Sequence, residues 1–373
     1  MSNDVALAGL NHKLGYRGIP NTLLNFGEGK FPVRGASGGL DGRGAGAIGY
    51  LVGKPHEGLR CMFHMMNEAR IAVGLGATML GYAGYEASLD YAKNRPQGRP
   101  MGIGGKDASQ PQIRIIEHAD VKRMLLAQKS YCEGALALEL YCARLVDELH
   151  TGAKEASTES SLLLEMLTPI AKSWPSEWCL EANSLAIQVL GGYGYTRDFP
   201  VEQYWRDNRL NMIHEGTHGI QALDLLGRKV VMREGAGLAL LARKVGATIE
   251  RSRRVPALAE HGRALSAALA QLEAATQAAW ATGAPEEALA NATPYLQAFG
   301  HTVLAWIWLD VALCAQQQLG SAASGPATDA DLLQGKLAAC TYFFHYELPR
   351  IGAWLKVVES RDPTCRTMQE AWF

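Results

Sequence analysis

The stretch DVKRMLLAQKSYCEGALALELYCARLVDEL, Asp120 to Leu149, limits the fold most strictly. Its apolar residues Val121, Met124, Leu125, Tyr131, Cys132, Ala135, Leu138, Cys142, Leu145 and Val146 fall on one stripe of a helix-period pattern. Such a stripe predicts a long helix that buries one side against other helices. Segments of the same kind cover residues 62–93, 159–190 and 220–233, and alanine-rich ones follow Leu238. The expected fold is mainly α. At 373 residues with 48% hydrophobic side chains, the chain can bury a large core and is expected to divide into two or three domains.

Residues 1–59 read differently. They are glycine-rich, with GASGGLDGRGAGAIGYLVG interrupting any long helix, and the short AIGYLV run predicts a strand. The region is expected to be loops and a few strands, too short for a β-domain by itself. Helical periodicity then breaks at Asn94–Gln112, at Gly191–Pro200 and at Gly320–Asp329, the last a polar linker of small residues. A boundary near Arg233 gives three expected domains, 1–59, 60–233 and 234–373.

Charge excludes little but points one way. The formal net charge is -1, with acids and bases interleaved, so no basic face for nucleic acid and no polybasic membrane anchor is expected. Seven scattered cysteines, none in a Cys-x-x-Cys pair, suit a reduced interior better than a disulfide framework or a zinc site. The N-terminus has no basic patch followed by an apolar run, and no uninterrupted apolar segment approaches the roughly 18 residues of a membrane span. The expectation is a cytoplasmic protein without a membrane helix.

The chemistry concentrates in NMIHEGTHGIQ, Asn211 to Gln221. Alone, Glu215 reads either as a helix-start acid favoured by the helix dipole or as a catalytic carboxylate, with Thr217 as N-cap of a helix beginning near Ile220. His214 and His218 are four apart, but Gly216 between them argues for a turn and no third ligand is apparent, so no metal is expected. Arg251, Arg253 and Arg254 read as a solvated helix face, Arg206 with Asp207 as a structural ion pair, and Trp306 with Trp308 as helix packing.

The longer run QVLGGYGYTRDFPVEQYWRDNRLNMIHEGTHGIQ resembles the C-terminal signature of acyl-CoA dehydrogenases. The matching elements are Gln188 with Gly191, Gly192 and Gly194; Pro200, Val201 and Glu202; Arg206 and Asp207; and Glu215, Gly216 and Thr217. A second patch, MMNEARIAVGLGATMLGYAGYEASLDYAKNRPQGRP, resembles the family helix that has an arginine near its start and a Tyr-Ala-x-x-Arg loop at its end. Arg70 and Arg95 occupy those positions, and RPQGRP is one residue shorter than the usual loop. GLNHKLGYRG, NTLLNFGEG and FFHYELPRIGAWLK are similar to the large bacterial branch around methylthiopropionyl-CoA dehydrogenases.

The resemblance implies a β-domain remnant, the family's C-terminal helical bundle and an extra C-terminal helical domain. It implies FAD as cofactor and dehydrogenation of an acyl-CoA thioester to the trans-2-enoyl-CoA, with Glu215 removing the α-proton. Arg95, Gln188, Gly191 and Gly192 align with residues that cradle the flavin's pyrophosphate and adenosine, in relatives for a neighbouring subunit; Thr217 and Gly219 align with further flavin contacts. Arg70, Asn67 and Gly216 align with the substrate side, Arg70 toward the CoA moiety. In some branches the base precedes the Arg70 position, but here that slot is Ala69, and Glu68, one residue away, is turned by about 100°. An electron-transfer flavoprotein as acceptor and a homo-oligomer, dimer or tetramer, are also implied. The family's opening helical domain and first part of its β-domain have no counterpart in this sequence, so weak FAD binding by the isolated chain is expected. The alternative reading is a non-catalytic helical assembly module.

Overall fold

The computed structural model describes residues 3–34, 43–63, 65–321 and 327–373. The glycine run at 35–42 and residues 322–326 of the expected linker at 320–329 therefore lie outside the described residues. The chain separates into two compact units, Met1–Met66 and Asn67–Phe373.

In the first unit, β1 (Val5–Leu10) pairs antiparallel with β2 (Thr22–Phe26), with a register shift between Leu7 and Gly9. Asp4 organises its surroundings. Its carboxylate accepts the N–H groups of Gly29, Phe31 and Gly46 at 2.7, 3.0 and 3.1 Å. These hydrogen bonds, that of Phe31 foremost, hold its pKa below the usual carboxylate value. Two short strands, β3 (Val33–Arg34) and β4 (Arg43–Gly44), pair antiparallel, and helix α1 (Gly58–Phe63) follows. The expected AIGYLV strand does not form. Residues 47–52 carry no regular structure, and Tyr50 is 88% exposed, because among the described residues no strand is paired with them to satisfy an extended backbone.

The second unit is built on three long helices, α2 (Met66–Asn94), α3 (Ala119–Thr151) and α4 (Lys154–Leu190). A two-residue connection forces α3 and α4 to run antiparallel, and the stripe predicted from Val121 to Val146 buries Met124, Leu125, Tyr131, Cys132, Ala135, Leu138, Cys142 and Leu145. Against α4, α2 presents glycines. A Cβ at Gly74 would lie 2.1 Å from the Ala171 carbonyl oxygen, at Gly81 2.7 Å from Cys179 Cβ, and at Gly84 2.5 Å from Asn183 Nδ2. Only hydrogen at those positions lets the two backbones approach. Asn183 then donates to the Leu80 carbonyl at 2.9 Å, and Asn208 donates to Ala77 at 3.1 Å and to Asn183 Oδ1 at 2.8 Å, so the close contact is also polar and satisfied.

The break between α2 and α3 holds a small hairpin, β5 (Met101–Gly102) with β6 (Gly105–Lys106). After α4 come α5 (Val201–Asn208) and α6 (His218–Asp224), then α7 (Ala236–Ser252), α8 (Ala259–Ala279), α9 (Pro285–Leu289), α10 (Ala292–Ser321), α11 (Ala327–Tyr342), α12 (Ile351–Glu359) and α13 (Thr364–Thr367). The helix expected over residues 220–233 is broken. It passes from α6 into a π-helical turn at Leu225–Lys229, and Arg233, Glu234 and Gly235 are left-handed at φ 50, 56 and 81° ahead of α7. The helices on both sides of that turn share one hydrophobic core.

The helix Ala292–Gly320 is long and apolar enough to cross a membrane, with a window of mean hydropathy 1.5, although 83% of that window is buried within the fold. The sequence hides this because His301, Asp310 and several glutamines interrupt the apolar run. The tryptophans anchor it as packing residues: Trp306 Nε1 donates to Thr248 Oγ1 and Trp308 Nε1 to the Ser130 carbonyl, both at 3.0 Å. From α4, Trp174 Nε1 donates to His301 Nδ1 at 3.1 Å. Gly134 on α3 makes room for Trp308, since a Cβ there would sit 2.5 Å from its Nε1. Gly134→Ala is therefore expected to destabilise the helical unit by about 1–3 kcal/mol, read as a lower urea midpoint.

Candidate functional site

The segment after α5 makes a short helical turn at Arg209–Met212 and then reverses at Glu215 and Gly216, with φ of 56 and 94°. Left-handed backbone is strained for a glutamate and persists only where the surroundings over-determine it. Here two buried side chains do so. Gln221 Nε2 donates to the Glu215 carbonyl at 3.0 Å, and Lys172 Nζ, from α4, donates to the Gly216 carbonyl at 2.5 Å. Gly216 is required as glycine, because a Cβ would lie 2.8 Å from Gln221 Nε2. The Glu215 side chain stays 30% exposed, with Oε1 3.7 Å from His214 Nε2.

Thr217 occupies the N-cap position, but α6 starts at His218, earlier than expected, and the Thr217 hydroxyl makes no capping hydrogen bond. Gly219 lies in the first turn of α6, where a Cβ would sit 3.9 Å from Thr217 Oγ1. His218 points back at α4, its Nδ1 2.9 Å from Ser173 Oγ. Burial, with Lys172 and Arg209 adding positive charge, lowers its pKa to about 4. Its Nε2 is 3.8 Å from Glu177, whose own pKa is raised by burial, so the contact joins two groups biased toward their neutral forms. His214 and His218 do not converge, and among the described residues no cluster suited to a metal ion occurs.

The Arg70 side chain is 8% exposed and its Nη1 is 2.9 Å from Asp224 Oδ2 on α6, while its Nε is buried without a partner. The helix turns residue 70 inward and leaves Glu68 exposed, and the guanidinium ties α2 to α6. Asn67, in the first turn of α2, is half-buried. Nearby, Lys229 pairs with Glu165, and burial, with Arg70, lowers the Lys229 pKa to about 8.

A second group forms where α2 and α4 end. Gly191 terminates α4 at φ 61° and returns its N–H to the Gln188 carbonyl. Gly191 and Gly192 would meet nothing if they carried a Cβ, whereas Gly194 packs against Ile187. The Arg95 guanidinium lies over the Tyr193 ring, 5.6 Å from its centroid, so residues almost a hundred apart in sequence share one exposed corner. Gln188 is exposed beside them. An exposed arginine beside an open glycine turn suits a phosphate-bearing ligand.

Arg206 is gripped by Glu202 at 2.6 and 3.0 Å, one turn away. Arg251 pairs with Asp310 and Arg253 with Glu250, on exposed positions. Sequence reasoning missed Lys172, Ser173, Gln221 and Asp224. The available signal was Lys172 itself, a charge in the apolar TPIAKSWP between Pro169 and Pro175.

This helical bundle with its glycine corner and Glu-Gly turn is that of a dehydrogenase C-terminal region. Residues 105–230 match the family described as Acyl-CoA dehydrogenase, C-terminal domain, and residues 241–369 that described as Acetyl-CoA dehydrogenase C-terminal like. The chain belongs to the acyl-CoA dehydrogenase family. It is 34% identical to the 3-methylmercaptopropionyl-CoA dehydrogenase of Ruegeria pomeroyi, over 94% of this chain and 56% of that protein. It is 30% identical to a broad-specificity linear acyl-CoA dehydrogenase of Mycobacterium tuberculosis, over 100% of this chain and 60% of that protein. An acyl-CoA dehydrogenase of Bacillus anthracis solved with FAD shares the fold at a TM-score of 0.67 and 17% identity, over 95% of this chain and 56% of that one. The chain thus spans 56 to 60% of the length of these curated relatives.

Two tests follow from the geometry. Asp224→Ala leaves the Arg70 cation buried without its partner and is expected to cost about 3–5 kcal/mol in urea denaturation. For His218, the folded pKa of about 4 lies below the unfolded 6.5. The unfolded chain therefore binds the proton first, and stability present above about pH 6.5 falls as pH drops toward 4, by on the order of 3 kcal/mol. His218→Gln should flatten the fall in urea midpoint between pH 7 and pH 5.

Proposed function

We propose that the protein of which this chain is all or part is an FAD-dependent acyl-CoA dehydrogenase that converts an acyl-CoA thioester to its trans-2-enoyl-CoA. The observation that carries this reading is the Glu215–Gly216 turn, a half-exposed carboxylate on backbone held from beneath by two buried side chains. Glu215 is assigned as the base that takes the α-proton, and its own N–H as a donor to the thioester oxygen. Gly216 leaves room for substrate to approach. FAD, when bound, supplies the acceptor for the β-hydride. Arg95, Gln188, Gly191 and Gly192 would hold its phosphate and adenosine side, and Thr217 and Gly219 would lie toward its other end. With Arg70 engaged by Asp224, Asn67 is the remaining candidate of that helix for contact with the substrate. A homo-oligomer in the cytoplasm that passes electrons to an electron-transfer flavoprotein completes the proposal.

In the full gene product, Glu215→Gln is expected to lower acyl-CoA-dependent dye reduction by about 10²–10⁴-fold with FAD still bound. A variant that keeps its rate would remove Glu215 from the role. The visible spectrum separates this reading from that of a non-catalytic assembly module: purified protein with a flavin band near one per chain excludes the module, and Arg95→Ala should weaken that FAD binding by about tenfold. Protein that stays colourless in excess FAD favours the module.

A further inference from the structure

Lys172 is wholly buried in the middle of α4, among apolar neighbours in sequence. A buried ammonium is costly unless it is hydrogen-bonded or paired, and burial accordingly lowers its pKa to about 8. Its hydrogen bond goes to the Gly216 carbonyl at 2.5 Å, and among the described residues no carboxylate forms an ion pair with it. Lys229, also buried, has Glu165 as its partner, so charge neutralisation accounts for that lysine and not for Lys172.

The target of this one contact is informative. Gly216 follows the strained Glu215, and the Lys172 bond fixes the peptide between Gly216 and Thr217 while Gln221 fixes the one before it. In a planar trans peptide the carbonyl and N–H point in opposite directions, so anchoring both carbonyls inward turns the N–H groups of Gly216 and Thr217 away from their anchors. The same anchoring sets the direction in which the Glu215 side chain leaves the backbone.

We propose that Lys172 is a positioning residue for Glu215, its ammonium pinning the Gly216 carbonyl so that the carboxylate keeps the geometry in which it meets a bound thioester. The proposal rests on Glu215 being the base. Without the ammonium the turn loses one of two anchors and relaxes, and the carboxylate moves while the rest of the bundle stays folded.

The test combines a structural and a kinetic readout. A glutamyl endopeptidase cleaves after Glu215 only when that turn opens, and cleavage after Glu234, in a second left-handed turn, is the internal reference. Lys172→Met should raise the Glu215 to Glu234 cleavage ratio by about tenfold, and Lys172→Arg, which keeps a charged donor, should hold it within about threefold of the parent. In the full gene product, Lys172→Met should lower kcat by about 10–100-fold with KM changed by less than about threefold, and Lys172→Arg should recover most of the loss. If Lys172→Met fails to give a cooperative urea transition, Lys172→Gln takes its place in both measurements. An unchanged cleavage ratio, or an equal loss for Met and Arg, overturns the proposal. A Glu215→Gln protein that keeps its rate overturns the base assignment instead, and the cleavage ratio still decides whether Lys172 holds the turn.

Discussion

The close approach of α2 to α4 is the constraint on which the rest of the helical unit depends. Gly74, Gly81 and Gly84 remove the side chains that would hold the two backbones apart, and the Asn183–Asn208 amides then satisfy carbonyls across the seam. Once α4 is fixed in this way, its inner face delivers Lys172 to Gly216 and Ser173 to His218. Its far end delivers Gln188 and the glycine turn to the corner where Arg95 waits. Both parts of the candidate site are therefore branches from one helix.

A buried site built this way carries unusual charge. Arg70, Lys172 and Lys229 all lie inside the bundle near α6, while Asp224 and Glu165 reach only two of them. His218 remains neutral among these cations, as its lowered pKa shows. The arrangement keeps positive charge below the turn and leaves the surface free to receive a ligand.

Much of this was legible in the sequence, and the limits have physical causes. The stripe from Val121 to Val146 marked a buried helix because its period is local to the element. Glu215, Gly216 and Gln188 stood out because they sit in a dense ordered motif, and Arg95 because it closes a second patch of the same resemblance. The AIGYLV run was misread because alternating or apolar character cannot say whether a partner strand exists, and the Arg70–Asp224 pair was not legible because a helix position does not reveal which acid on another helix faces it. Lys172 was passed over for the same reason: its meaning lies in a carbonyl 44 residues away. The membrane-like composition of α10 is a composition shared by core helices and lipid-facing ones, and only packing distinguishes them.

The position of α10 in the chain has a consequence for synthesis. Its tryptophan reaches Ser130 across a separation of 178 residues, and its histidine meets Trp174 across 127. The inner helices must therefore leave the ribosome and stand with an apolar face uncovered until a far later helix arrives to seal it. Contacts of such long range slow folding and prolong the exposure of apolar surface. A helix apolar enough to cross a membrane is thus among the last to find its place, which makes this chain a strong candidate for chaperone dependence during expression.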